Sequence, residues 1–101
     1  MSITSHVDQS SGKPVIAISG RFDYTQHTAF RDSYRHLSPG VGPIIVDLTQ
    51  TTYLDSSALG MLLLIREHAG GNKGSVHLRG CSDTVLRVLK TAYFERLFVI
   101  E

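Results

Sequence analysis

Cysteine, tryptophan and proline are scarce in this chain of 101 residues, which has one cysteine, no tryptophan and three prolines. Cys81 is alone, so it can form no internal disulfide, which fits a reducing compartment, and it cannot build a cysteine-rich zinc site. Charge of either sign is not in excess: ten Lys and Arg face nine Asp and Glu, for a formal net charge of +1. No basic stripe therefore marks the chain as a direct nucleic-acid binder. Long apolar runs are also missing. The longest, Met61 to Ile65, falls far short of the roughly 20 residues of a membrane span. The amino terminus, Met1 to His6, has neither the basic region nor the apolar stretch of a secretory signal. The expectation is a cytoplasmic protein with no membrane insertion. Its length and its 42% hydrophobic content suit a single domain over residues 1–101.

Catalytic motifs are equally hard to find. No Gly-x-Ser-x-Gly elbow surrounds Ser56 or Ser57. The histidines His6, His27, His36, His68 and His77 lack His-Glu-x-x-His spacing. His68, near a polar helix end, is expected to meet solvent or the helix dipole. Gly70-Gly71-Asn72-Lys73-Gly74 lacks the Gly-Lys-Ser/Thr ending of a phosphate loop. Asp23, Asp47 and Asp55 could be read as a metal cluster, yet each also fits a turn or strand-end cap, the commoner use of aspartate. No cofactor and no metal are implied. The chain reads as a substrate of chemistry rather than its agent, and not as an enzyme.

What is present is an alternation of strand and helix patterns. Ser2 to Val7 suits an edge strand, followed by the turn-forming Ser10-Ser11-Gly12-Lys13-Pro14. Val15 to Ile18 is a continuous apolar run bounded by turn residues, as in a central strand. The short turn between them predicts antiparallel pairing. From Thr25 to Leu37 the period changes, with Phe30, Tyr34 and Leu37 on one helical stripe, and Ser38-Pro39-Gly40 ends it. Pro43 to Val46 reads as a buried strand, and Ser75 to Leu78 as a half-buried one. Ser82 is placed to cap a helix in which Val85, Leu89 and Ala92 share a face. Leu97 to Ile100 suits a last strand. These elements predict one α/β domain, a mixed four- to five-stranded sheet with helices packed against it.

The most informative stretch runs from Asp47 to Gly60. A loop rich in hydroxyls leaves the strand and delivers Ser56 and Ser57 to the first turn of an apolar helix. Serines there commonly cap the helix. Within the helix Ala58, Met61, Leu62, Ile65 and Ala69 fall on one side, enough to face the sheet. Ser56, Gly60 and Leu63 fall on another. Mid-helix glycine costs about 1 kcal/mol relative to alanine, which is easier to understand if something approaches closely at Gly60. Leu59 and Leu63 exceed what one core-facing stripe requires. They are expected either to be exposed for docking or to be covered by a third layer.

Asp55-Ser56-Ser57-Ala58-Leu59-Gly60 resembles a signature of the STAS domain, and specifically of bacterial anti-sigma factor antagonists. In that family the string is Asp-Ser-Ser/Thr-Gly-Leu-Gly at the start of the second helix. Ser19-Gly20-Arg21-Phe22-Asp23 is similar to the family's Gly-x-x-Asp after the second strand. Ile45-Val46-Asp47-Leu48 is like its strand ending in Asp-Leu. The resemblance covers nearly the whole chain. Ala58 departs from it where glycine is usual, and alanine should firm the first turn.

The resemblance implies a phosphoacceptor at Ser56, with Ser57 less favoured and expected mainly to support the helix start. It implies a partner-binding surface of Asp23, Asp55, Ser56, Ser57, Leu59, Gly60 and Leu63, with Asp47 as an anchor of the serine loop. It also implies partners: an anti-sigma factor that is a serine kinase, bound by the unphosphorylated form so that a sigma factor is released, and a serine phosphatase. An alternative of another class is a non-switching STAS accessory subunit of a transport complex, for example a lipid-transport ABC complex, or of another signalling complex.

Overall fold

Short apolar runs bounded by glycine, proline and serine set the strands, and amphipathic stretches between them set the helices. A computed structural model of the chain describes residues 3–40 and 42–101. The strands are β1 (Ile3–Val7), β2 (Pro14–Ile18), β3 (Gly20–Phe22), β4 (Ile44–Asp47), β5 (Thr51–Leu54), β6 (Val76–Arg79) and β7 (Val99–Ile100). The helices are α1 (His27–Tyr34), α2 (Ser56–Ala69) and α3 (Asp83–Thr91). Five strands form a mixed sheet in the order β1-β2-β4-β6-β7, while β3 and β5 form a separate two-stranded ribbon.

β1 runs antiparallel to β2, with Ile3 opposite Ile18 and Val7 opposite Pro14, as the short intervening turn demands. The remaining pairs of the main sheet are parallel. Each parallel step needs a crossover, and α1, α2 and α3 supply them in turn. All three steps run in the same direction across the sheet, so right-handed crossovers put all three helices on one face. The core agrees with this. Ile16, Ile18, Ile44, Val46, Val76 and Leu78 join the buried residues of all three helices in one cluster. Val15 and Ile45, which alternate to the other face, are buried but lie outside it.

Helix α2 buries Ala58, Met61, Leu62, Ile65 and Ala69, the set its periodicity predicts. Full burial of a side chain such as Leu62 or Ile65 contributes about 1.5–3 kcal/mol, so this stripe fixes the helix to the sheet. Helix α3 buries Val85 and Leu89, and Ser82 caps it by accepting from the Val85 amide at 3.2 Å.

Several boundaries differ from the sequence expectation. The stretch after β4 is not all loop, because Thr51–Leu54 pairs with β3 as a parallel ribbon. Neither strand shows the long apolar run that flags a buried strand. The first helical segment opens as a 3₁₀ turn at Tyr24–Gln26 and α1 ends at Tyr34, although Leu37 still packs on the core. A 3₁₀ turn over Lys73–Ser75 delays β6 to Val76, and another over Phe94–Arg96 shortens β7 to two residues. Ser2, expected in the first strand, lies outside the described residues.

Candidate functional site

The ribbon β3–β5 builds the candidate site, because its two strands end in the same way. Arg21-Phe22-Asp23 and Tyr53-Leu54-Asp55 are the same pattern of exposed residue, buried apolar residue and aspartate. Phe22 and Leu54 face each other in the register and are buried in the core. The next residue on each strand is therefore an aspartate, and Asp23 and Asp55 leave the ribbon side by side. Each starts a helical turn.

Asp55 is the N-cap of α2. Its carboxylate accepts from the Ala58 amide at 3.0 Å, and its backbone is extended there. A carboxylate at this position satisfies an orphan amide and meets the positive end of the helix dipole. The sequence expectation that serine caps this helix is thus corrected: the aspartate does so. Ser56 and Ser57 occupy the first two helical positions, are exposed, and make no side-chain hydrogen bond among the described residues. Ser57 therefore does not supply the support expected of it. Ala58, where the resembling signature has glycine, is fully buried in the core.

Asp23 caps the 3₁₀ turn. It accepts from the Thr25 amide at 3.0 Å and the Thr25 hydroxyl at 2.5 Å, and Arg21 Nε lies 3.4 Å away. The Thr25 hydroxyl, then the Thr25 amide, with help from Arg21, hold the Asp23 carboxyl below its ordinary range. Gly20 opens the ribbon with φ of +81°, a left-handed geometry that glycine adopts without strain. Thr51 opens the partner strand, its buried hydroxyl donating to the Ile18 carbonyl at 2.7 Å. Asp47 is not part of this group. It alternates to the sheet face away from the core and accepts from the Thr49 amide at 3.0 Å and hydroxyl at 2.5 Å, which makes it the anchor of the turn before β5.

Along α2, Gly60 is exposed, and a Cβ added there would meet nothing within 4 Å. It is not a glycine required by packing. Leu63 is 39% exposed and Leu64 54%, so no third layer among the described residues covers them. Leu59 is half-buried and packs partly against the core. The result is an exposed strip from Ser56 across Gly60 to an apolar pair, with the two aspartates at its head.

Sequence reasoning missed three residues here. The Arg21 guanidinium stacks 4.2 Å from the centre of the Tyr53 ring, a contact worth about 0.5–1 kcal/mol at an exposed site. Tyr24 is 74% exposed nearby in sequence, just after Asp23. Among the described residues, four of the six exposed large hydrophobics, Tyr24, Tyr53, Leu63 and Leu64, thus sit on the ribbon end or the free face of α2. The repeated pattern before the two aspartates was the available signal. His68 also departs from expectation: it is half-buried, its Nε2–H donating to the Leu37 carbonyl at 2.7 Å and its ring edge meeting Tyr34.

A one-sided α/β sheet with an aspartate-capped, serine-headed second helix defines a class of small domain. A family model described as a Mlab STAS domain matches residues 5–100, and the chain belongs to the STAS-domain family. A STAS-domain containing protein of Pseudomonas aeruginosa (strain UCBPP-PA14) is 45% identical over 100 residues, which span 99% of each chain. Two solved structures share the fold. One is a protein of Thermotoga maritima described as a candidate anti-sigma factor antagonist, at a TM-score of 0.74 and 17% identity, over 97% of this chain and 84% of that one. The other is the anti-sigma factor antagonist SpoIIAA in its unphosphorylated form, at a TM-score of 0.64 and 20% identity, over 98% and 86%. No helix among the described residues is long and apolar enough to cross a membrane.

Proposed function

We propose that this chain is a phosphorylation-switched protein-binding module of the anti-sigma factor antagonist type. Ser56 is the acceptor, and the surface formed by Asp23, Asp55, Ser56, Ser57, Leu59, Gly60 and Leu63, extended by Tyr53 and Arg21, holds the partner. That partner is an anti-sigma factor with serine kinase activity, bound by the unmodified form so that a sigma factor is released. A serine phosphatase restores the unmodified form. The chain is a substrate in this cycle and catalyses no step of it.

One observation supports this reading above the others: Ser56 has no structural duty, because Asp55 carries the cap. A phosphate there adds roughly 1.5–2 negative charges at a helix start, where the dipole favours them by about 0.3–1 kcal/mol. The domain's own fold has little reason to change. A docked surface, by contrast, would face a dianion where it had met a hydroxyl, beside two carboxylates, and repulsion and desolvation would expel it. The modification thereby controls binding and leaves folding alone.

The test compares phosphorylated and unphosphorylated protein in calorimetric titration against candidate anti-sigma kinases. Binding by the unmodified form and loss by at least tenfold on phosphorylation is the expected result. A second reading, a permanent STAS subunit of a transport or signalling complex, is favoured by the description of the family model that matches. Equal affinity of both forms, or no phosphate accepted from any kinase that binds the chain, would favour that second reading.

A further inference from the structure

The ribbon and the serine-headed start of α2 share a single cation. Over residues 19–26 and 49–65 the sequence holds two carboxylates, Asp23 and Asp55, and no lysine or arginine except Arg21. Helix α3 packs against β5, and Asp83 and Arg87, one charge of each sign, line a groove on its exposed face. Side chains alternate along a strand, so Arg21, Asp23, Tyr53 and Asp55 share the outer face of the ribbon, opposite the buried Phe22 and Leu54. Arg21 already reaches along that face to Asp23, which stands beside Asp55, and Ser56 is the next residue.

Arg21 is weakly held where it is. Its side chain is 66% exposed, its Nε lies 3.4 Å from one oxygen of Asp23, and its guanidinium rests 4.2 Å from the centre of the Tyr53 ring. Ion pairs that exposed contribute little, and so does a cation on an aromatic face in water. Asp23 does not need this arginine. The Thr25 amide and hydroxyl occupy its other oxygen, and they hold its carboxyl low more strongly than Arg21 does. The guanidinium can leave without undoing the cap.

We propose that Arg21 is the internal phosphate-binding residue of the switch: when Ser56 carries a phosphate, the guanidinium leaves the Tyr53 ring and pairs with it. This rests on the reading of Ser56 as the phosphoacceptor. A phosphate offers three oxygens and roughly 1.5–2 charges, more than the carboxylate Arg21 now meets. The guanidinium fork matches two of those oxygens at once. Two changes then reach the docking surface together. A dianion appears at the helix start, and Tyr53 loses the cation that covered it. A bound partner would lose its contact with Arg21 as well as meet the new charge.

The test installs phosphoserine at position 56 during translation, so that no kinase is needed, and follows the full chain by ³¹P and ¹⁵N NMR. The phosphate titration midpoint should lie about half a pH unit lower in wild type than in Arg21→Gln, because a nearby cation favours the doubly charged form. The Arg21 Nε–H signal, assigned by its loss in Arg21→Gln, should move as the phosphate takes its second charge. It should stay still over the same pH range in unphosphorylated protein. Arg87→Gln removes the cation on α3 and should leave the midpoint unchanged. Equal midpoints in wild type and Arg21→Gln, or an Arg21 signal that ignores the phosphate, would overturn the proposal. So would a larger change in Arg87→Gln than in Arg21→Gln. A kinase that binds the chain yet never labels Ser56 would remove the switch while leaving these midpoints as predicted, so the two failures are told apart.

Discussion

Serine stands at the start of two helices of this domain, as the N-cap of α3 and as the first residue of α2, and it does opposite things there. At α3, Ser82 is the cap: its hydroxyl accepts from the Val85 amide, and the helix start relies on it. At α2 the residue before the serines is an aspartate, which takes the capping role and leaves Ser56 and Ser57 exposed. The chemistry of the side chain is the same in both places. Position relative to the first helical amide decides whether it holds the fold together or is free to be modified. One residue of offset separates a structural serine from a candidate signalling serine.

The largest expected effect falls on binding at α2. Ser56→Glu and Ser56→Asp should weaken partner binding by more than 1.4 kcal/mol, tenfold in affinity. Their melting temperatures should remain within a few degrees of wild type, since a carboxylate is tolerated at a helix start. Gly60→Gln should behave likewise, folding normally in open space but losing the partner. Calorimetric titration beside thermal melts reads both quantities. A large loss of stability in the Ser56 variants would erase the contrast with Ser82.

Stability should show the reverse pattern. Ser82→Ala and Asp55→Ala should each cost about 1 kcal/mol, the usual value of a lost N-cap. For a domain of this size that lowers the melting temperature by about 4–8 °C. Ser56→Ala and Ser57→Ala should stay within about 0.5 kcal/mol of wild type, as surface changes without a cap role do. Gly60→Ala sharpens the same point in the other direction. With nothing within 4 Å of the added methyl, it should stabilise the domain by up to about 1 kcal/mol.

The smallest effect concerns the companion cap. Asp23 has its carboxyl held low chiefly by the Thr25 hydroxyl. A lowered folded-state value means that its contribution is complete above the ordinary value of 3.8 and disappears as pH falls through the lowered one. Thr25→Val should bring the Asp23 titration, followed by carboxyl ¹³C NMR, back toward that ordinary value. No movement in Thr25→Val would mean that Arg21 and the Thr25 amide hold the carboxylate instead.

Much of this was legible before any coordinates. Periodicity named the buried stripe of α2 residue by residue, because a helix on a sheet must show its apolar face every third or fourth position. Ser82 was readable as a cap from its place ahead of an amphipathic run. The assignment failed at α2, where Asp55 and two serines compete for one capping position and composition alone does not rank them. The ribbon β3–β5 was hidden for a different reason. Its strands are three and four residues long, with mostly polar exposed faces, so no apolar run announces them. Without that pairing, Arg21 and Tyr53 lie 32 residues apart and nothing suggests that they stack. Asp23 and Asp55 could be named as members of one surface only through the family resemblance, and the parallel register supplies the physical reason they stand together.

The central claim is that the serine next to the cap, and not the cap or the second serine, receives the phosphate. Its most direct test is mass-spectrometric mapping of the chain after incubation with ATP and a kinase that binds it, on wild type, Ser56→Ala and Ser57→Ala. The account predicts phosphate at Ser56 in wild type, none in Ser56→Ala, and a substantial part retained in Ser57→Ala. Full labelling of Ser56→Ala would contradict it.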